Sequence, residues 1–313
     1  MAIAPNTPIT DSLTNPISLP YTDCVIHQKV HLAPYTSYRV GGKAQWYAEP
    51  KAWDDIQEIF SWINKQQIPF TCLGKGSNLL ICDQGIKGLV LNTRHLKQYA
   101  VDEHQQTITV GAGYSLPKLA WQVAKKGWEG LEWAVGIPGS VGGAVVMNAG
   151  AHKGCVADVL QDALVAYPDG TIKKLSGQEL EYSYRTSRLQ QESALVLSAT
   201  LKLSPTSTRD KVMEITGNNF KHRKQTQPYD KPSCGSVFRN PQPQAAGWLI
   251  EQIGLKGYQI GGAQVAHRHA NFILNAGNAT AKDIYSLIHH VQEQVQNNWS
   301  ILLHPEVRML GEF

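Results

Sequence analysis

Gly136-Ile137-Pro138-Gly139-Ser140-Val141-Gly142-Gly143-Ala144-Val145-Val146-Met147-Asn148-Ala149-Gly150 decides the reading of this 313-residue chain: five of its fifteen residues are glycine and none is charged. Glycine costs backbone entropy on folding, so a cluster of it signals left-handed backbone or a close approach of the main chain to something else. Main-chain N–H groups in such a loop form concave anion sites. By itself the segment also fits a tight strand-to-helix junction inside a core. A second small-residue loop, Gly74-Lys75-Gly76-Ser77-Asn78, follows the apolar run 68–73 and precedes another at 79–82. Two such loops, each at the end of an expected strand, suit one ligand gripped in two places, and a diphosphate has the charge and the length. Neither Gly-x-Gly-x-x-Gly nor Gly-x-x-x-x-Gly-Lys-Ser/Thr occurs, which argues against a Rossmann dinucleotide site and a P-loop.

Length and an apolar fraction of 42% suit about two globular domains. The net charge of +4 is mild and its Lys and Arg residues are scattered, so nucleic acid is not an expected partner while anionic small molecules are. Five cysteines form no Cys-x-x-Cys pair and no zinc-finger spacing; reduced thiols in the cytoplasm and no metal are expected. No apolar run reaches the roughly 18 residues of a membrane span. The start, Met1 to Tyr21, is rich in Pro, Thr, Ser and Asn and lacks the basic and apolar regions of a signal peptide. It reads as a loosely ordered extension, and the protein as a monomer.

Periodicity predicts a helix over 52–66, where Trp53, Ile56, Phe60 and Ile63 recur every three or four residues, and another over 115–126 with Ser115 as N-cap and Gly127 as stop. Strands are expected within 89–110, at 163–167 and 171–175 around the turn Pro168-Asp169-Gly170, and over 195–203. The polar run 204–208 reads as a linker, after which helices are expected over 211–223, 245–254 and 281–296. The last has a capping box from Thr280 and Asp283.

Four constellations carry candidate chemistry. Tyr182-Ser183-Tyr184-Arg185-Thr186-Ser187 sets a guanidinium fork among hydroxyls, suited to a carboxylate or phosphate, although a solvent-facing arginine is the plainer reading. Ser236, in Ser233-Cys234-Gly235-Ser236-Val237-Phe238-Arg239-Asn240-Pro241, lacks the second glycine of a hydrolase elbow; its hydroxyl could deliver a proton to a carbanion, or merely shape a turn. His267, His269 and Asn271 have no nearby carboxylate or cysteine to complete a metal set. Near the C-terminus, Glu306 and Arg308 project from one face if the segment is extended, either as a surface ion pair or as an acid and a cation around one substrate.

Taken together, Thr36-Ser37-Tyr38-Arg39-Val40-Gly41-Gly42, the two glycine loops, Tyr184-Arg185, Gly235 to Pro241, Ala246-Gly247-Trp248-Leu249-Ile250, His269-Ala270-Asn271-Phe272 and Pro305-Glu306-Val307-Arg308 resemble the UDP-N-acetylenolpyruvoylglucosamine reductases, FAD enzymes of bacterial peptidoglycan precursor synthesis. The resemblance implies an α+β fold: a two-subdomain FAD-binding module of the vanillyl-alcohol-oxidase (PCMH) type over 31–205, split near 95, then an α+β substrate-binding domain over 206–300. An extension over 1–30 and a C-terminal segment 301–313 flank them.

It further implies that FAD is bound non-covalently, its diphosphate held by Gly74 to Asn78, Gly136 to Ser140, Gly142 to Ala144, Asn148 and Gly150. NADPH would pass a hydride to the flavin and leave, and the reduced flavin would deliver it to C3 of the enolpyruvyl group of a UDP-sugar. Arg185 and Glu306 would stabilise the enediolate that forms, the latter as a protonated acid, and Ser236 would protonate C2. Tyr184, Lys224, Asn240 and Arg308 would bind the substrate. The short interval from Arg185 to Ser236 points to the compact subtype, without a tyrosine-bearing insertion. Members of that subtype often carry a basic residue where this chain has Thr226, which leaves Lys224 as the candidate for the substrate phosphates. An oxygen-using oxidase with flavin on His152 and a non-catalytic sugar-nucleotide binder are the alternatives.

Overall fold

The computed structural model describes residues 8–10, 15–205 and 208–313. Its first sheet runs in the order Ile17–Ser18, Val25–His31, Lys43–Ala48, Ile86–Asn92, Phe70–Leu73. The strand Ile86–Asn92, fourth in this order, lies parallel to both its neighbours and is buried along almost its whole length, as a strand covered on both faces must be. Helix α1 (Trp53–Gln66) makes the crossover from Lys43–Ala48 to Phe70–Leu73, burying Ile56, Ile59, Phe60 and Ile63. Each such side chain contributes about 1.5–3 kcal/mol of burial. Gln67 closes the helix in left-handed backbone before Pro69.

A second sheet, entirely antiparallel, has the order Ile172–Ser176, Leu160–Ala166, Leu195–Lys202, Thr107–Gly111, Tyr99–Asp102. Helix α2 (Leu116–Lys126) turns Leu116, Leu119, Ala120 and Val123 into the same core, with Ser115 and Gly127 at its ends as expected. The glycine-rich stretch is only partly a loop: Val141–Met147 is helical (α3), because Ser140 caps it and Val141, Ala144 and Val145 are buried.

Helix α4 (Arg209–Thr226) follows the expected linker, of which residues 206 and 207 lie outside the described residues. Though read as the start of the second domain, α4 lies on α2: Phe220 meets Trp121 edge to face at 6.1 Å, and Asn219 donates to the carbonyl of Glu132. The third sheet, Gln259–Ile260, Ala263–Val265 and Ile273–Asn275, is antiparallel and packs with α5 (Ala246–Gln252) and α6 (Ala281–Trp299) around one core. The capping box of Thr280 and Asp283 is formed. Tyr38, Val40 and Leu80 enter that core as well.

The chain then returns, and Arg308–Leu310 pairs in parallel with Leu79–Ile81, directly after the first glycine loop. Residues 15–30, read as part of an N-terminal extension, instead supply Ile17–Ser18 and most of Val25–His31 to the first sheet. The polar residues of His-Gln-Lys-Val-His conceal that Ile26 and Val30 are fully buried. The remainder of the extension, 1–7 and 11–14, lies outside the described residues.

Candidate active site

One cavity of about 480 Å³ opens between these parts and is lined by the loop 74–78, by 137–140, 142–144 and 150, and by Tyr184, Arg185, Ser236, Asn240, Glu306 and Arg308. This volume suits a small-molecule ligand. The loops converge because their small residues touch: a Cβ on Gly74 would lie 2.4 Å from Ser140 Oγ, and one on Gly76, in left-handed backbone, 2.1 Å from the carbonyl oxygen of Tyr35. At Gly76 the protein itself requires glycine, whereas at Gly74 the contact is with a side-chain hydroxyl.

Gly139 and Gly143 differ. A Cβ there would meet only Ser77 Oγ at 3.3 Å or Ser140 Oγ at 3.5 Å, and both line the cavity. The space such side chains would fill is ligand space, as expected for main chain closing on a diphosphate. With Ile137, Val146, Met147 and Leu116 also in the lining, the cavity pairs apolar surface with main-chain donors and fits a flavin nucleotide.

The opposite wall holds the charged groups. Arg185, in left-handed backbone (φ 57°), donates from Nη2 to the carbonyl of Gly150 at 2.6 Å and from Nε to Glu306 Oε1 at 2.9 Å. Its guanidinium lies 5.1 Å from the ring centroid of the exposed Tyr184. Burial pushes the Glu306 carboxyl above its ordinary value, against the opposing pull of Arg185 and Arg239. The main chain fixes this residue: its N–H donates to Val237 O at 2.7 Å, and Asn78 Nδ2 donates to its carbonyl at 3.0 Å.

Asn271 aligns the Ser236 loop with this segment. Its Oδ1 accepts from the N–H of Phe238 at 2.9 Å and its Nδ2 donates to the carbonyl of Phe238 at 2.8 Å, while Phe238 bridges to Pro305. Ser236 and Glu306 are thereby brought to one cavity. Arg308, in its strand, shares that face with Glu306 and reaches the carbonyl of Gln190 at 3.4 Å. Asn240 uses Oδ1 to hold the N–H of Ala246.

Three expected site residues are elsewhere. Gly136 does not line the cavity; it seats the stem of Arg223, whose Cδ would lie 2.4 Å from an added Cβ. Asn148 is buried, bonded to Ser183 O and to the N–H of Ala157. Lys224 is exposed and outside the lining, which instead includes Arg223 and Gln227. The buried stripe Val212, Thr216 of α4, continued at helical spacing, leads to Arg223 and past Lys224, a signal present in the sequence. His152 also lies outside this lining. His269 is half-buried, its Nδ1 accepting from the N–H of Asn271.

Residues 227–310 match the family described as UDP-N-acetylenolpyruvoylglucosamine reductase, C-terminal domain, and residues 44–176 match an FAD binding domain. A UDP-N-acetylenolpyruvoylglucosamine reductase of Synechocystis sp. is 55% identical, covering 100% of this chain and 99% of its own length. The chain belongs to the UDP-N-acetylenolpyruvoylglucosamine reductase family. A relative of that name from Nostoc punctiforme is 57% identical over 95% of this chain and 90% of its own. The crystal structure of the family's enzyme from Thermus caldophilus superposes with a TM-score of 0.79 at 34% identity, covering 91% of this chain and 98% of that one. The expected α+β fold, an FAD-binding module of the vanillyl-alcohol-oxidase type followed by an α+β domain, is that of the molecule. Among the described residues no helix is long and apolar enough to cross a membrane.

Proposed function

We infer that the chain reduces UDP-N-acetylenolpyruvoylglucosamine to UDP-N-acetylmuramate in peptidoglycan precursor synthesis, with non-covalent FAD as cofactor and NADPH as hydride donor. The observation that carries this reading is the meeting of Arg185, Ser236 and Glu306, distant in sequence, on one cavity that the glycine loops also line. Bound FAD supplies the hydride that reaches C3 of the enolpyruvyl group. Addition at C3 drives electrons toward the substrate carboxylate, and Arg185, held by Gly150 and Glu306, presents its guanidinium to that charge without reorganising.

Glu306 acts as the neutral acid. Burial already favours its protonated form, and an approaching substrate carboxylate adds a like-charge push in the same direction. A protonated carboxyl donates a hydrogen bond to the enediolate, whereas a carboxylate repels it. Ser236 Oγ then gives its proton to C2. Tyr184, Asn240 and Arg308 hold the rest of the substrate.

In this reading the chain up to 205 holds the cofactor, 206–300 the substrate, and the last segment brings Glu306, with α4 bridging the two parts. Cysteines without a disulfide and a nucleotide-sugar substrate support a cytoplasmic setting, and a monomer presents the full set of site residues. Anaerobic mixing of the purified protein with NADPH tests the reading. The flavin should bleach, and the enolpyruvyl sugar should restore its colour. A flavin that stays oxidised sinks the reading, as would yellow colour retained in an acid-precipitated pellet, the mark of a covalently attached flavin.

A further inference from the structure

The segment that carries Ser236 alternates. Ser236, Phe238 and Asn240 line the cavity, whereas Val237 and Arg239 do not, as chain extended about a β-bridge requires. Val237 enters the core, and Arg239 is half-buried away from the ligand space. The N–H of Arg239 donates to the carbonyl of His304 at 2.9 Å, and the N–H of Glu306 donates to that of Val237 at 2.7 Å, on either side of the bridge from Phe238 to Pro305. Arg239 thus stands across from His304, two residues from Glu306, a diagonal separation that a long side chain spans.

An arginine held there needs an anion. Among the described residues Arg239 forms no ion pair, and its buried Nε has no hydrogen-bond partner, a costly state for a charged donor. Glu306 is a carboxyl that feels its charge. This acid therefore answers to two guanidiniums. Arg185 lines the cavity and bonds Glu306 at 2.9 Å, so an arriving substrate carboxylate competes for it. Arg239, outside the lining, keeps its pull throughout. The other groups around Glu306 do not supply this charge. Burial pushes the Cys234 thiol up to about 12, the Glu306 charge adding to it, so the thiol stays neutral. Asn78, which holds the Glu306 carbonyl, is uncharged, and Arg308 reaches the carbonyl of Gln190 at 3.4 Å.

We propose that Arg239 is a positioning residue for the reaction, a cation outside the cavity that acts through Glu306 and keeps this acid a strong hydrogen-bond donor while Arg185 is engaged with substrate. Burial favours the neutral carboxyl that the reaction needs, but burial alone would make it hold its proton too firmly to donate well. A fixed charge on the far side of the wall offsets that without occupying ligand space. The coupling of Arg239 to Glu306 is independent of the substrate, and only its place in turnover rests on the reductase reading.

The test uses the FAD-loaded protein and two neutral variants, Arg239→Gln and Arg239→Met, the second keeping an apolar stem in the same place. Infrared difference spectra across pH follow the carboxylic acid band of Glu306, identified by its loss in Glu306→Gln. Removing a cation favours the neutral acid, so the band should persist to a pH about one unit higher in the neutral variants. Arg239→Lys, which keeps the charge, should retain the wild-type midpoint. In stopped-flow, reoxidation of the reduced flavin by the enolpyruvyl sugar should show the same upward shift of its alkaline limb, while bleaching by NADPH keeps its wild-type rate and pH profile. A midpoint that stays put in a folded neutral variant, or that moves as far in Arg239→Lys, overturns the proposal. Equal slowing of both half-reactions with no shift also overturns it and leaves Arg239 a structural residue. Conversely, a band that follows Arg239 in a protein whose reduced flavin is never reoxidised by the enolpyruvyl sugar keeps the coupling and removes the reductase reading.

Discussion

The cavity wall built from 74–78 and from within 137–150 offers main-chain groups and a single titratable side chain, Lys75, whereas the facing wall offers Arg185, Ser236, Glu306 and Arg308. The first wall is built from two short segments and is rigid by necessity, since the main chain approaches too closely for any side chain at Gly76. The second is assembled from three distant segments, and its alignment depends on a few polar contacts such as those of Asn271 and Gly150. A wall without acids can hold a cofactor without interfering in proton transfer. On the proposed reading, the wall with the acid and the cation determines which reaction the cofactor serves.

Changes on the chemical wall should divide the two half-reactions. Arg185→Met is expected to slow reoxidation of the reduced flavin by the enolpyruvyl sugar by roughly 10²–10³, the cost of losing a preorganised charge, while bleaching by NADPH changes little in stopped-flow. Asn271→Ala strands the main chain of Phe238 in a buried setting and should cost about 1–3 kcal/mol of stability in denaturant titrations. An unchanged unfolding midpoint would remove the alignment role given to this side chain.

On the glycine wall the contrast lies between neighbours. Gly76→Ala meets Tyr35 O in left-handed backbone and should lower the thermal midpoint of the protein with or without FAD. Gly143→Ala, which meets no protein atom closer than 3.5 Å, should leave the apoprotein stable and weaken FAD binding by about tenfold, the scale of mild overpacking. Equal effects of the two substitutions on the apoprotein would erase the distinction between glycine required by the protein and glycine required by the ligand.

The smallest effect concerns pH. Because burial raises the Glu306 pKa, the protonated form persists above the ordinary carboxylate range and is lost as pH rises through the shifted value. The substrate half-reaction should therefore weaken on its alkaline side, and Glu306→Gln, whose amide still donates, should flatten that limb.

Much of this was legible beforehand. α6, with its capping box and five apolar positions, and α2, between Ser115 and Gly127, follow from local rules and hold in the structure. Strands such as Val25–His31 escaped because their polar residues, His27, Gln28, Lys29 and His31, outnumber the two that are buried. α3 escaped because two glycines in a seven-residue helix contradict propensity, and its burial against the second sheet overrides that. At the site, Arg185 and Glu306 could be nominated from sequence, but their hydrogen bond spans 121 residues and only the fold creates it. Lys224 drew attention through its charge, and the phase of α4 gives the position to Arg223.

Ser236 links the two walls most directly, because its proposed task begins only after the hydride has left the cofactor. In the Ser236→Ala protein, anaerobic NADPH should bleach the flavin at close to the wild-type rate, and subsequent addition of the enolpyruvyl sugar should fail to restore the colour. Equal slowing of both half-reactions would contradict the assignment and leave Ser236 a structural residue of its loop.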